Sequence, residues 1–262
     1  MLELGFDIGA EGLVLLCLAA LLAGWVDAIV GGGGLIQLPA LLLVPGFAPV
    51  HAVATNKLGS MMGTLTSATT YYRRVRPDLH TAAPLAGVAF VGSLGGAVVA
   101  SHLPAAVFTP IIMVALVAVL LFTLARPRIG TAFEETPPPA ATVLARTLPF
   151  GALVGFYDGV LGPGTGSFLV LGLAVLMHTT FLRATAVTKI VNAATNLGAL
   201  VYFAPLGLVE WRLGFLIGAA NMVGGYLGAR TAVRLGNRFV RGVLLVVVTA
   251  LLVRLGIQVL SS

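Results

Sequence analysis

Apolar residues recur in blocks along almost the whole chain, at 12–30, 35–45, 52–72, 83–101, 105–125, 148–161, 166–178, 184–203, 212–229 and 240–258. Several approach the roughly 20 residues that an α-helix needs to cross about 30 Å of hydrocarbon. Sustained period-2 alternation is missing, so a β-barrel with a polar lumen face does not fit. The pattern predicts an all-α, polytopic helical membrane protein. Two pairs of blocks, 12–30 with 35–45 and 148–161 with 166–178, each have a short member. They are interrupted by Gly31-Gly32-Gly33-Gly34 and by Gly162-Pro163-Gly164-Thr165-Gly166. Glycine tolerates unusual backbone angles and proline removes a donor, so both clusters predict breaks inside membrane-embedded segments. Such breaks persist only where protein or a wet cavity satisfies the backbone. A tight loop between two helices is the competing reading. The expected count is ten embedded segments, about eight full spans plus discontinuous or re-entrant pieces.

Composition agrees with the pattern. Of 262 residues, 58% are hydrophobic before 33 glycines are added and only 9% are charged, against roughly 45–50% and 25% in soluble domains. Mean hydropathy is +1.05. The net charge of +6 is not gathered into a basic run long enough to follow a phosphate backbone, which argues against nucleic acid. A single cysteine, Cys17, excludes a disulfide scaffold and reads as a packing residue. Glu3, Asp7 and Glu11 precede the first block and no basic n-region stands there, so the first helix is expected to be retained.

The two halves of the chain resemble each other. At an offset of 131, Gly24-Trp25-Val26-Asp27 aligns with Gly155-Phe156-Tyr157-Asp158, and Gly31 and Gly33 align with Gly162 and Gly164; at 132, Lys57 aligns with Lys189, Gly92 with Gly224 and Gly96 with Gly228. This predicts a first repeat over 1–125, a cytoplasmic linker over 126–147 and a second repeat over 148–262. Eleven of the fifteen basic residues fall at Arg73, Arg74 and Arg76; Arg126, Arg128 and Arg146; Arg183; and Arg230, Arg234, Arg238 and Arg241. These connections are expected on the cytoplasmic side, and 46–51, 102–104 and 204–210, which lack Lys and Arg, on the outside. Corresponding connections then face opposite sides, the arrangement of inverted repeats in secondary transporters. Both termini are expected outside, with five embedded segments per half.

Charged residues inside such segments are costly, which makes them candidate working groups. Asp27 and Asp158 stand at matching positions before the breaks as proton-coupling candidates, with a helix-capping or interhelical hydrogen bond as the structural alternative. Lys57 and Lys189 form the second matched pair, flanked by Asn56, Ser60 and Thr64 and by Thr188, Asn192 and Asn196. At helical spacing these form polar stripes beside a cation, suited to binding a small anion, aided by the helix starts after Gly34 and Gly166. Interhelical polar glue is the rival reading. Gly92, Gly95, Gly96, Gly224, Gly225 and Gly228 read as close-packing positions, and Tyr71, Tyr72 and Trp211 as interfacial anchors. No metal site is expected from His51, His80, His102 and His178, and Leu35 and Ile36 stand where a Walker A motif needs Lys and Ser/Thr.

The residues from Gly24-Trp25-Val26-Asp27 through Gly31–Gly34, Leu38-Pro39-Ala40-Leu41 and Ala54-Thr55-Asn56-Lys57-Leu58 resemble the sulfite exporter and taurine exporter (TauE/SafE) membrane protein family. So does the second copy, from Gly155 through Gly166-Ser167-Phe168 to Lys189, Asn192 and Asn196. The chain looks especially like the bacterial branch called probable membrane transporter proteins, over about 12–256. The resemblance implies a permease of the inner or plasma membrane moving sulfite, sulfonates or related organosulfur anions, often as an exporter. The resulting expectation is an alternating-access secondary transporter, not an enzyme, with no cofactor. Its partners are a small organic or inorganic anion and membrane lipid, and a homo-oligomer is compatible. A passive anion channel and a non-transport membrane scaffold are the alternatives.

Overall fold

The computed structural model describes residues 9–104 and 139–260, all of whose regular elements are helices. They are α1 (Ala10–Val30), α2 (Gly34–Leu42), α3 (Pro49–Val75), α4 (Leu79–His102), α5 (Ala140–Val160), α6 (Thr165–Leu176), α7 (Phe181–Phe203) and α8 (Trp211–Leu260). The expected block 105–125 and the linker up to 138 lie outside the described residues. Residues 140–147, assigned to the linker from sequence, form the first turns of α5. The blocks 212–229 and 240–258 are joined in α8, which is interrupted only by the non-helical Gly236.

Local chemistry sets the ends. Helix α1 stops because Gly31 turns left-handed (φ 75°, ψ 22°) while its amide still donates to the Asp27 carbonyl at 2.8 Å. Left-handed backbone is where glycine has no Cβ penalty. Helix α3 opens on Pro49, whose missing donor is one that a first turn leaves unused anyway. Helix α4 is capped by Asp78, which accepts from the His80 amide at 3.0 Å and the Thr81 hydroxyl at 2.8 Å. The clusters predicted as breaks do interrupt the helices, and a short helix follows each: α2 has 9 residues and α6 has 12.

Packing follows small residues. Gly92 and Gly96 of α4 lie against the backbone of α5 at Ala152 and Phe156, and Gly224 and Gly228 of α8 lie against α1 at Leu21 and Trp25, so these glycines serve the close packing expected of them. The buried side chains form two apolar clusters. One holds Leu38 and Leu41 of α2 with Leu16, Leu58, Val160, Phe203 and Ile217; the other holds Leu169, Leu171 and Leu173 of α6 with Ile29, Tyr71, Leu85, Val154, Val191 and Val240. Every long helix passes from one cluster to the other. Helices α1, α3 and α8 run from the α2 cluster to the α6 cluster, whereas α4, α5 and α7 run the opposite way. At the changeover sit buried polar side chains: Thr64, Ser67, Ser93, Asp158, Asn192, Asn196 and Asn221. A polar belt therefore crosses the middle of the bundle, between two apolar ends.

Tyr71 is not an interfacial anchor. It is fully buried, and its hydroxyl donates to the Ala28 carbonyl at 2.9 Å, because α3 turns this face inward onto the end of α1. Tyr72 and Trp211 are exposed.

The two breaks meet at Gly31 and Gly166, where a Cβ on either residue would overlap the other's backbone. Gly166→Ala is expected to lower stability by about 1–3 kcal/mol through overpacking. Gly87→Ala, on the open face of α4 with nothing near a new Cβ, should be neutral or raise it by up to about 1 kcal/mol. Thermal unfolding in detergent checks both. The Thr81 hydroxyl foremost, and then the His80 amide, hold the Asp78 carboxyl below its usual range despite slight burial. The cap therefore stabilises the fold above the unfolded carboxyl's pKa and is lost as pH falls through the lower folded value. Asp78→Ala is expected to lower stability by about 1 kcal/mol at neutral pH, with the gap to the parent closing below about pH 4.

Candidate functional site

Each break is preceded by an aspartate one turn earlier, and that spacing fixes the site. Asp27 lies four residues before Gly31 and Asp158 four before Gly162, so both carboxylates stand in the last turn of a helix, where the Asp27 carbonyl accepts from the Gly31 amide as well as from a lysine. The lysines come from the first half of two other long helices, α3 and α7. Lys57 of α3 pairs with Asp158 of α5, Nζ to Oδ2 2.8 Å, and also donates to the Asp158 main-chain carbonyl. Lys189 of α7 pairs with Asp27 of α1, again 2.8 Å to Oδ2, and donates to the Asp27 carbonyl. The matched residues thus pair crosswise: each half of the chain supplies the lysine for the other half's aspartate. Side-chain exposure is 1% and 4% for Lys57 and Asp158, and 0% and 13% for Lys189 and Asp27.

Two attractions converge on each ammonium. The carboxylate supplies a full charge, and the C-terminal carbonyl supplies the negative end of a helix dipole. The lysine therefore caps the broken helix of the opposite half, as the left-handed glycine does from within. This serves the interhelical hydrogen-bonding role that is the structural alternative for the aspartates.

The breaks are tied together by further polar contacts. Ser167 of α6 donates to the Val30 carbonyl at 2.9 Å, and Tyr157 of α5 donates to the Pro163 carbonyl at 2.7 Å. Thr165 returns its hydroxyl to the Gly162 carbonyl at 2.8 Å. Gly162 and Gly164 take positive φ, 91° and 82°; a Cβ on Gly162 would stand 2.8 Å from the Lys57 nitrogen. In the first break the Leu35 amide donates to Gly32 and the Ile36 and Gln37 amides to Gly33, so the start of α2 uses these amides on its own turn.

A small cavity of about 20 Å³ lies among these groups, lined by Asp27, Gly31, Gly34, Asn56, Lys57, Ser60, Asp158, Gly162, Gly166, Asn192 and Asn196. That volume has room for about one water molecule. Of the polar stripes read from sequence, Asn56, Ser60, Asn192 and Asn196 reach this cavity. Thr64 instead points its hydroxyl at Asp27 Oδ2, 3.4 Å away. Thr188, the counterpart of Asn56, is fully buried outside the lining, and Lys189 reaches the site through Asp27. The Asn56 side-chain oxygen and the Thr188 hydroxyl are buried without a hydrogen-bond partner. Among the described residues, no group of three or more His, Cys, Asp or Glu side chains is placed to hold a metal ion.

Sequence reasoning did not select Gln37 and Asn221, which join α2 to α8 through a 2.5 Å hydrogen bond while both are 2% exposed. The available signal was a lone amide inside each apolar block. It also left the lysines without partners, since the pairs span 101 and 162 positions.

Removing one member of a buried pair strands the other. Lys57→Ala and Asp158→Ala are each expected to cost about 3–5 kcal/mol, and the double substitution clearly less than their sum. A double-mutant cycle of unfolding free energies in detergent measures the difference.

Comparison with known proteins places the chain in a family. The profile described as Sulfite exporter TauE/SafE matches residues 16–255. The chain is 36% identical over 249 residues to a "Probable membrane transporter protein ORF9" of Sinorhizobium sp, covering 95% of this chain and 94% of that one. It is 34% identical over 228 residues to YfcA, also called a probable membrane transporter protein, of Escherichia coli strain K12, with 87% and 83% covered. A probable membrane transporter protein of Haemophilus influenzae is 32% identical over 235 residues, with 90% and 91% covered. No solved structure matches. With almost its whole length matched, the chain belongs to the sulfite exporter TauE/SafE family of membrane proteins.

Proposed function

We propose that this protein is a multi-pass secondary transporter of the cell membrane, carrying small sulfite-like or organosulfur anions by alternating access between two inverted repeats. The observation that carries the reading is the crossed pairing of Lys57 with Asp158 and Lys189 with Asp27 at two helix breaks. Support for the inversion comes from helix direction: α1 and α5, α3 and α7, and α4 and α8 occupy matching places in the two halves yet run oppositely between the apolar clusters. On this reading the structure is an occluded state, its central cavity too small for an oxyanion. The substrate class rests on the family description.

The chemistry follows from charge balance. An anion gains a lysine only by displacing that lysine's carboxylate. A displaced carboxylate in a site this poorly hydrated is costly as an ion, and on this reading a proton accompanies the anion. One anion and one proton entering together leave the net charge of the site unchanged. Opening toward one side would loosen one crossed pair while the other held the halves together, giving each pair a turn as gate.

Proteoliposomes loaded against sulfite, thiosulfate, sulfoacetate, taurine and carboxylate controls, under imposed pH gradients, test this. Saturable flux of a sulfur oxyanion with counterflow is expected. Lys57→Ala and Lys189→Ala should weaken substrate binding by about tenfold or more. Asp27→Asn and Asp158→Asn should uncouple flux from the pH gradient. Coupling that survives in both aspartate variants overturns the proton role, and the absence of flux with every substrate overturns transport of this class.

A further inference from the structure

A second basic site lies away from the breaks, in a groove between the C-terminal end of α3 and the stretch of α8 before Gly236. The groove encloses about 680 Å³ and is lined by Arg74, Arg230 and Arg234 together with Leu227, Val233 and Leu235. A smaller cavity of about 140 Å³ adjoins it, sharing Arg74 and Arg230 and adding Arg73 and Tyr226. Arg73, Arg74, Arg230 and Arg234 thus line two adjoining cavities.

Nothing among the described residues neutralises them. Five carboxylates fall there: Asp27 and Asp158 are committed to the buried lysines, Asp78 caps α4, and Glu11 and Glu210 line neither cavity. Arg230 is held by donating to the Tyr226 hydroxyl at 2.8 Å, with its guanidinium 5.4 Å from that ring's centre. Tyr226 thereby orients the fork without cancelling its charge. The walls are of the opposite character, since Leu227 and Leu235 are 46% and 53% exposed. Arginines beside exposed leucines match a molecule that is anionic at one end and aliphatic at the other. Guanidinium forks suit phosphate oxygens, and basic pockets between spanning helices bind anionic headgroups.

We propose that this groove binds the phosphodiester headgroup of an anionic phospholipid, with its acyl chains against Leu227, Val233 and Leu235. The site is independent of the transport reading.

Delipidated full-length protein titrated with phosphatidylglycerol or phosphatidylcholine in mixed micelles, with binding read by native mass spectrometry, tests it. Saturable binding of phosphatidylglycerol over phosphatidylcholine is expected. Arg74→Gln, Arg230→Gln and Arg234→Gln should each weaken it by about fivefold. Arg76→Gln removes the same charge beside a different cavity and should leave binding unchanged. Lipid-free unfolding temperature checks that each variant is folded, and Arg74→Lys, which keeps charge but loses the fork, should bind between the parent and Arg74→Gln. Equal binding of phosphatidylcholine overturns the proposal, as does equal weakening by Arg76→Gln. Competition by glycerol phosphate at the concentration of the lipid overturns it in favour of a soluble phosphate site.

Discussion

An ion taken out of water must find its opposite, and in this bundle the opposite is always in the other half of the chain. Lys57 and Lys189 are buried as completely as any leucine in the core. Each is tolerable there only because a carboxylate and a helix-end carbonyl meet its ammonium. That requirement brings the ends of α1 and α5 beside α7 and α3. The breaks fall within a turn of both aspartates, so each lysine meets a carboxylate and a main-chain carbonyl together at a helix end. The contact of Gly31 with Gly166 follows, because bringing both broken ends to one place leaves no space for a Cβ.

The mutual neutralisation also defines the chemistry available. A site with two free lysines would hold an anion tightly and release it slowly. On the transport reading proposed above, lysines that are already paired exchange one negative partner for another, so affinity is moderated by the carboxylate that has to leave. The polar belt at mid-height serves the same end: Asn56, Ser60, Asn192 and Asn196 offer hydrogen bonds around the cavity without adding charge. The apolar clusters on either side of the belt keep water from reaching it along the helix faces.

Much of this was legible in the sequence, because it depends on local signals. Glycine clusters mark backbone breaks wherever they fall in an apolar run, and α2 and α6 follow them as read. Matched positions of Asp27 with Asp158 and of Lys57 with Lys189 singled out the four charges that converge. Their crosswise pairing was not legible, since no local pattern distinguishes a lysine that will meet an anion from one that will meet an aspartate 101 or 162 positions away. The same limit explains Tyr71, whose place near the end of an apolar block reads as interfacial until α1 is seen to cover it. It also explains Gln37 and Asn221, single amides that gain meaning only when α2 and α8 are brought together. The start of α5 at Ala140 shows a different limit: charge and proline composition extended the linker over residues that fold as helix.

The crossed pairs have a consequence for how the protein is made. Asp27 and Lys57 leave the ribosome long before their partners, Lys189 and Asp158. Until then the first half carries an aspartate and a lysine with neither of their final counter-charges in existence. Insertion of α1 and α3 is therefore provisional, with both charges held at an interface, in a water-filled insertion path or against each other. Synthesis of α5 releases one of them and synthesis of α7 the other. The second half thus completes the first, and a nascent chain stalled before residue 158 holds Asp27 and Lys57 without either of their final partners.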